Sequence, residues 1–154
     1  MSKRDVEFFI VDMLVALETI QRYAAQFKSS DDLIRDEAAW SVVTRQLEIV
    51  GEAMKSVLGS EKFKQVVKPS WRNVVDFRNV VIHEYFGINQ DQIFDIIKND
   101  VPLLEQELIE LIKQLPDHKI INYVIEETKF DLKQINRLAS LEYLNDLQLM
   151  IKKS

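Results

Sequence analysis

The sequence predicts an all-α protein, an antiparallel four- or five-helix bundle followed by a helical appendage, and three observations carry that prediction. Apolar residues recur at three- and four-residue steps through most of the 154 residues, the period of helices with one buried face. Glycine and proline number three each, too few for the turns of a many-stranded fold or for a glycine-rich phosphate loop. Gly59, Pro69, Gly87 and Pro116 fall where the apolar stripes stop.

From Val6 the positions Phe9, Ile10, Met13, Leu17, Ile20, Ala24 and Phe27 form one stripe, which predicts a long first helix. Ser29, Ser30, Asp31 and Asp32 offer cap and first-turn chemistry for a second, from about Asp32 to Leu58, with Trp40, Val43, Leu47, Val50, Met54 and Val57 on its buried side. Gly59 closes that helix, and Ser60 is placed to cap a short amphipathic turn containing Phe63, Val66 and Val67, ended by Pro69. Ser70 then opens a third helix in which Trp71, Val74, Val75, Arg78, Val81 and Ile82 share a side, so Arg78 is expected within an apolar face. That helix is expected to end near Gly87.

Asn89 and Gln92 are spaced as a capping box for a fourth helix running through Phe94, Ile97, Val101, Leu104, Leu108, Leu111 and Leu115. Pro102 should kink or split it, since proline lacks the N–H and clashes with the preceding turn, and Pro116 should end it. Residues 1–116 are therefore expected to form the bundle and 117–154 an extension. In the extension Ile120, Ile121, Tyr123, Val124 and Ile125 fit strand or helix equally. Thr128 and Asp131 are placed to cap a last helix carrying Ile135, Leu138, Leu141, Leu144, Leu147 and Ile151. Its stripe could pack on the bundle, on a second copy or on another partner.

Composition narrows the function classes. A formal net charge of −5 argues against a protein that coats duplex nucleic acid by bulk electrostatics, although Lys62, Lys64, Lys68, Arg72 and Arg78 leave room for a local basic site. Residues 91–127 are rich in acids, so charge is segregated along the chain. There is no cysteine, hence no disulfide framework and no thiolate metal site, and with His83 and His118 as the two histidines a protein-built zinc site is not expected. No apolar run approaches the roughly 20 residues needed to span a bilayer, and Asp5 interrupts the start where a signal peptide would need an apolar core. A cytoplasmic protein without a cofactor or metal is the expectation.

One constellation carries chemistry: Arg78-Asn79-Val80-Val81-Ile82-His83-Glu84-Tyr85, an Arg-x4-His-x-Tyr pattern. Histidine can exchange a proton with the ribose 2′-hydroxyl or the departing 5′-oxygen near neutral pH, and a guanidinium fork neutralises phosphoryl oxygens as charge builds. Tyr85 could donate a hydrogen bond or stack on a base. On an ideal helix Arg78 and His83 lie roughly 140° apart, while Arg78 and Tyr85 nearly share a face. Either the helix ends or distorts before Gly87, or the site is completed from elsewhere. A two-fold homodimer would supply the second histidine that acid–base transesterification profits from. The same residues admit a structural reading in which Arg78 pairs with Glu52 and His83 sits near a helix C-terminus.

Beyond the bare spacing, Arg78 to Phe86, together with Pro69-Ser70-Trp71-Arg72, Ile49-Val50-Gly51-Glu52-Ala53 and Val101-Pro102-Leu103-Leu104, resembles the HepT-like toxins of the HEPN domain superfamily. The resemblance spans about residues 4–115 and leaves out the last forty or so. It implies an antiparallel helical bundle, a homodimer, and metal-independent endoribonuclease activity as the toxin of a toxin–antitoxin pair. By matching position it implies Arg78 and His83 as the catalytic pair, with Asn79 beside the arginine. It also implies a cognate nucleotidyltransferase antitoxin that attaches AMP to the motif tyrosine, here Tyr85. Glu52 is expected to orient Arg78 across the helix pair, or else to be a surface or capping carboxylate, and His118 to be a surface residue. A different class of reading is a non-catalytic helical module that binds a nucleotide or docks a partner.

Overall fold

The computed structural model of the chain describes residues 5–83 and 89–153, the side chains of residues 82 and 83 excepted. Among the described residues every regular element is helical.

Helix α1 (Val6–Ala24) is the hub. Its apolar side chains point in nearly every direction and are buried: Ile10, Val11, Met13, Leu14, Leu17 and Ile20 have no exposed surface. A helix apolar all round needs neighbours all round. The long helix α3 (Glu37–Leu58) packs along it, burying Val43, Leu47, Val50, Met54 and Val57.

The second predicted helix is split in two. Ser29 accepts from the Asp32 amide to open α2 (Ser30–Arg35), and Asp36, in an extended conformation, then accepts from the Ala39 amide to start α3 afresh. The competing cap at Asp36 outweighs continuity of the stripe, because it satisfies an amide that the helix start leaves unpaired. Gly59 ends α3 in right-handed geometry, its N–H bonded to the Lys55 carbonyl, so no positive φ calls for glycine there.

The third predicted helix is likewise two. After the turn that buries Phe63 come α4 (Trp71–Val75) and α5 (Phe77–His83), joined at Asp76. The Ser70 side chain makes no cap bond. The break shifts the buried stripe to Trp71, Val74, Phe77 and Val81, all at most 7% exposed, and turns Arg78 outward from the apolar face where periodicity put it. Residues 84–88, including Gly87, lie outside the described residues.

The Asn89–Gln92 capping box is not formed: the Asn89 side chain donates to the Val80 carbonyl instead. Helix α6 (Gln90–Asp95) passes through one π-helical turn, Ile96–Asp100, into α7 (Val101–Lys113). The Val101 amide reaches back to the Ile96 carbonyl, a five-residue step. The wider turn ahead of Pro102 places the proline in the first turn of α7, where its missing N–H costs least. Lys98, in the π turn, donates to the Ala24 carbonyl at 3.1 Å and seals the end of α1.

The β-branched run is helical, within α8 (Lys119–Gln134), so Thr128 and Asp131 are interior to that helix and cap nothing. The Thr128 hydroxyl donates to the Val124 carbonyl. The break comes instead at Asn136, whose φ of 59° is left-handed. The amides of Asn136 and Arg137 return to the carbonyls of Lys133 and Leu132, closing α8 before α9 (Leu138–Lys152) begins. Both helices pack on α1. Val124, Ile125, Leu144 and Leu147 are fully buried, whereas Ile135 and Leu138 of the predicted stripe are exposed. Tyr143 fixes α9 to the bundle by donating to Glu105 at 2.7 Å, and Gln21 of α1 donates to the same carboxylate at 3.1 Å.

Candidate active site

Glycine at position 51, mid-way along α3, sets the geometry of the motif helix. A Cβ there would stand 3.2 Å from the Val75 carbonyl oxygen and 3.4 Å from the Arg78 amide nitrogen, so the junction of α4 and α5 lies directly on the α3 backbone. The neighbouring Glu52 then faces the first turn of α5. Its Oε1 receives the Arg78 guanidinium at 2.8 Å, with both side chains about half exposed. Such a pair leaves most of the guanidinium's donors open to solvent, since one carboxylate oxygen engages one of five N–H groups.

Asn79 is exposed beside Arg78, and His83 is the last described residue of α5. Five residues of helix set the backbones of Arg78 and His83 roughly 7.5 Å apart along the axis. The helix continues through His83, so the distortion considered above does not occur between these two residues. The His83 side chain and Tyr85 lie outside what the structure describes. On the far side of Glu52, a cleft of about 360 Å³ between α1 and α3 is lined by Phe9, Asp12, Glu48, Glu52 and Ser56 among others.

The basic run is largely neutralised. Lys62 pairs with Glu7, Lys64 with Glu61 at 3.9 Å, Lys68 with Glu107 at 3.4 Å and Arg78 with Glu52, leaving Arg72 as its exposed cation without an ion pair among the described residues. Sequence composition sees the cations but not the carboxylates brought across from α1, α3 and α7. His118 is half-buried at the start of α8, with its Nε2 unpartnered among the described residues, rather than a free surface residue. Among the described residues no group of three or more His, Asp or Glu side chains is arranged to hold a metal ion, and no helix is long and apolar enough to cross a membrane.

Sequence reasoning missed what Gly51 does. The available signal was a glycine inside an otherwise strong helical stripe, immediately before the carboxylate that meets Arg78.

Comparison with known proteins converges on one family. The family model for HepT-like ribonucleases matches residues 13–112, from within α1 almost to the end of α7, a span that includes both Glu52 and Arg78. A candidate RNase of Methanocaldococcus jannaschii is 33% identical over 115 residues, which is 75% of this chain and 93% of that protein. A second candidate RNase from the same organism is 34% identical over 110 residues, 70% of this chain and 97% of its own length. A third protein of that organism, named as a gamma-glutamylcyclotransferase and candidate RNase, is 27% identical over 123 residues, and there the chain spans only 54% of the relative. No solved structure matches the chain significantly. On the family match over most of its length, with the motif arginine held against a carboxylate of α3, the chain belongs to the HepT-like ribonuclease family.

Proposed function

We propose that the protein is an endoribonuclease that cleaves RNA without a metal ion, with Arg78 and His83 as its catalytic pair and a homodimer as its working form. The observation that carries this reading is the placement of Arg78. Its guanidinium is steadied by Glu52 on one side and exposed on the other, one helix and five residues before His83, in a chain of a ribonuclease family.

In the proposed reaction one histidine takes the proton from the ribose 2′-hydroxyl, and the freed 2′-oxygen attacks the adjacent phosphorus. The bond to the 5′-oxygen breaks, that oxygen receives a proton from a second histidine, and a 2′,3′-cyclic phosphate remains. Arg78 stabilises the charge that builds on the non-bridging oxygens. Because each chain brings one motif histidine, the second comes from a second copy across a two-fold axis. Asn79 adds a polar contact beside Arg78, and Glu52 orients it.

The finer biological reading is a toxin of a toxin–antitoxin pair, silenced when a nucleotidyltransferase antitoxin attaches AMP to Tyr85. An added phosphate there would occupy and neutralise an arginine-centred phosphate site.

The test is incubation of the purified protein with total RNA in EDTA, beside Arg78→Ala and His83→Ala, with the product ends identified. Cleavage leaving 2′,3′-cyclic ends, lowered about 10²–10⁴-fold in His83→Ala, is the expected result. Unchanged activity in that variant would refute the assignment of His83. No cleavage by a protein shown by mass to be unmodified at Tyr85 would favour a binding module.

A further inference from the structure

His118 is one of two histidines in the chain, and its Nε2 is buried without a hydrogen-bond partner among the described residues. An unpaired buried ring nitrogen costs free energy, so its retention calls for a partner from outside the chain. The residue lies beyond position 112, where the family match ends.

His118 lines a cleft of about 540 Å³ where the start of α8 meets the end of α9, together with Asn122, Gln148, Ile151 and Lys152. That volume is in the range of sites for small molecules. Gln148 is already committed, donating to Glu126 and accepting from Lys129, which are themselves an ion pair. The carboxamide of Asn122 and the ammonium of Lys152 have no partner among the described residues.

The charge at this end of the hairpin favours an anion. No carboxylate is among the described residues that line the cleft. With Glu126 held by Lys129, Asp117 alone stands against Lys119, Lys152 and Lys153, and it accepts from the Lys119 amide. The positive end of α8 and the negative end of α9 meet here and offset each other, so Lys152 decides the sign.

We propose that this cleft binds the phosphate group of a small phosphate monoester. Lys152 and the Asn122 amide each donate to one terminal oxygen. A half-turn of the half-buried imidazole exchanges Nε2 with Cε1 and lets the ring donate to the third. Three donors on separate side chains match the three terminal oxygens of a monoester, whereas a carboxylate or an internal phosphodiester presents two. The monoester also carries nearly twice the charge of a diester. A long polyanion would meet the acids that surround the cleft elsewhere on the chain, which a compact ligand avoids.

Proton NMR of the full chain at constant pH tests this, because two histidines give two imidazole signals and His118→Gln assigns them. AMP and inorganic phosphate are expected to shift the His118 signal saturably, and adenosine and acetate to leave it unmoved. Affinity should weaken as salt rises and fall about fivefold or more in Lys152→Gln and in Asn122→Ala, both exposed positions where folding is not at stake. Lys133→Gln, at the other end of α8, should change nothing. No saturable shift, shifts confined to His83, or equal affinity in wild type and both cleft variants would overturn the proposal. So would an RNA oligomer without terminal phosphate that displaces AMP at equal concentration. No readout depends on cleavage, so the result stands apart from the ribonuclease reading.

Discussion

Gly51 and Arg78 are in contact across the α3–α5 junction: a methyl group on Gly51 would come within 3.4 Å of the Arg78 amide nitrogen, and still closer to the Val75 carbonyl. The atoms in the way are backbone, which cannot swing aside as a side chain can. Gly51→Ala is expected to push α4 and α5 outward and to cost about 1–3 kcal/mol, set against up to about 1 kcal/mol from alanine's better helix propensity. Denaturant melts measure the balance. Cleavage should fall more than stability does, since Arg78 moves with the helix.

Glu52 offers a cleaner separation. Its ion pair with Arg78 is about half exposed, so Glu52→Gln should change stability by less than about 1 kcal/mol. Turnover should nevertheless drop while KM changes little, because the loss is in holding the guanidinium still rather than in bringing RNA to the surface. A variant that melted early would show that Glu52 is structural.

The junction was partly legible in advance. The pairing of Arg78 with Glu52 was one of the alternatives open from a lone arginine and a carboxylate on a neighbouring helix, beside a capping or surface role for Glu52. The exposure of Arg78 was not foreseen, because the apolar period ran straight through Asp76. A helix boundary set by competing backbone hydrogen bonds is invisible to a stripe of side chains, as the new start at Asp36 also demonstrates. The left-handed turn at Asn136 was missed for a related reason: Thr128 and Asp131 are good cap residues by type, but only tertiary packing decides which candidate cap is used. The overall all-α bundle survived these errors, since splitting a helix leaves its buried face in place.

Tyr143 gives the structure an alkaline limit. Burial, and then the negative charge of Glu105, push its phenol above the ordinary value. The folded-state value lies above the unfolded one, so this contribution is complete below about pH 10 and is lost as the pH climbs beyond it. Wild-type stability is therefore expected to decline above pH 10 more steeply than that of Tyr143→Phe. At neutral pH the same variant should cost about 1–2 kcal/mol, the loss of one hydrogen bond to a charged acceptor.

Leu147 tests how firmly the last two helices are attached. It is fully buried where α9 meets the bundle, and Leu147→Ala should destabilise the protein by about 2–5 kcal/mol if α8 and α9 melt with the rest. Two separate transitions in a thermal scan would show instead that the hairpin is an independent unit.

The enclosure of α1 by α3, α7, α8 and α9 has a dynamic consequence. Its amides can meet solvent only when neighbours on several sides let go, so their hydrogen exchange should report the global unfolding free energy. The short helices α4 and α5 touch the body chiefly through α3, and their amides should exchange through smaller local openings. The segment bearing Arg78 can then breathe on its own timescale while the centre stays closed.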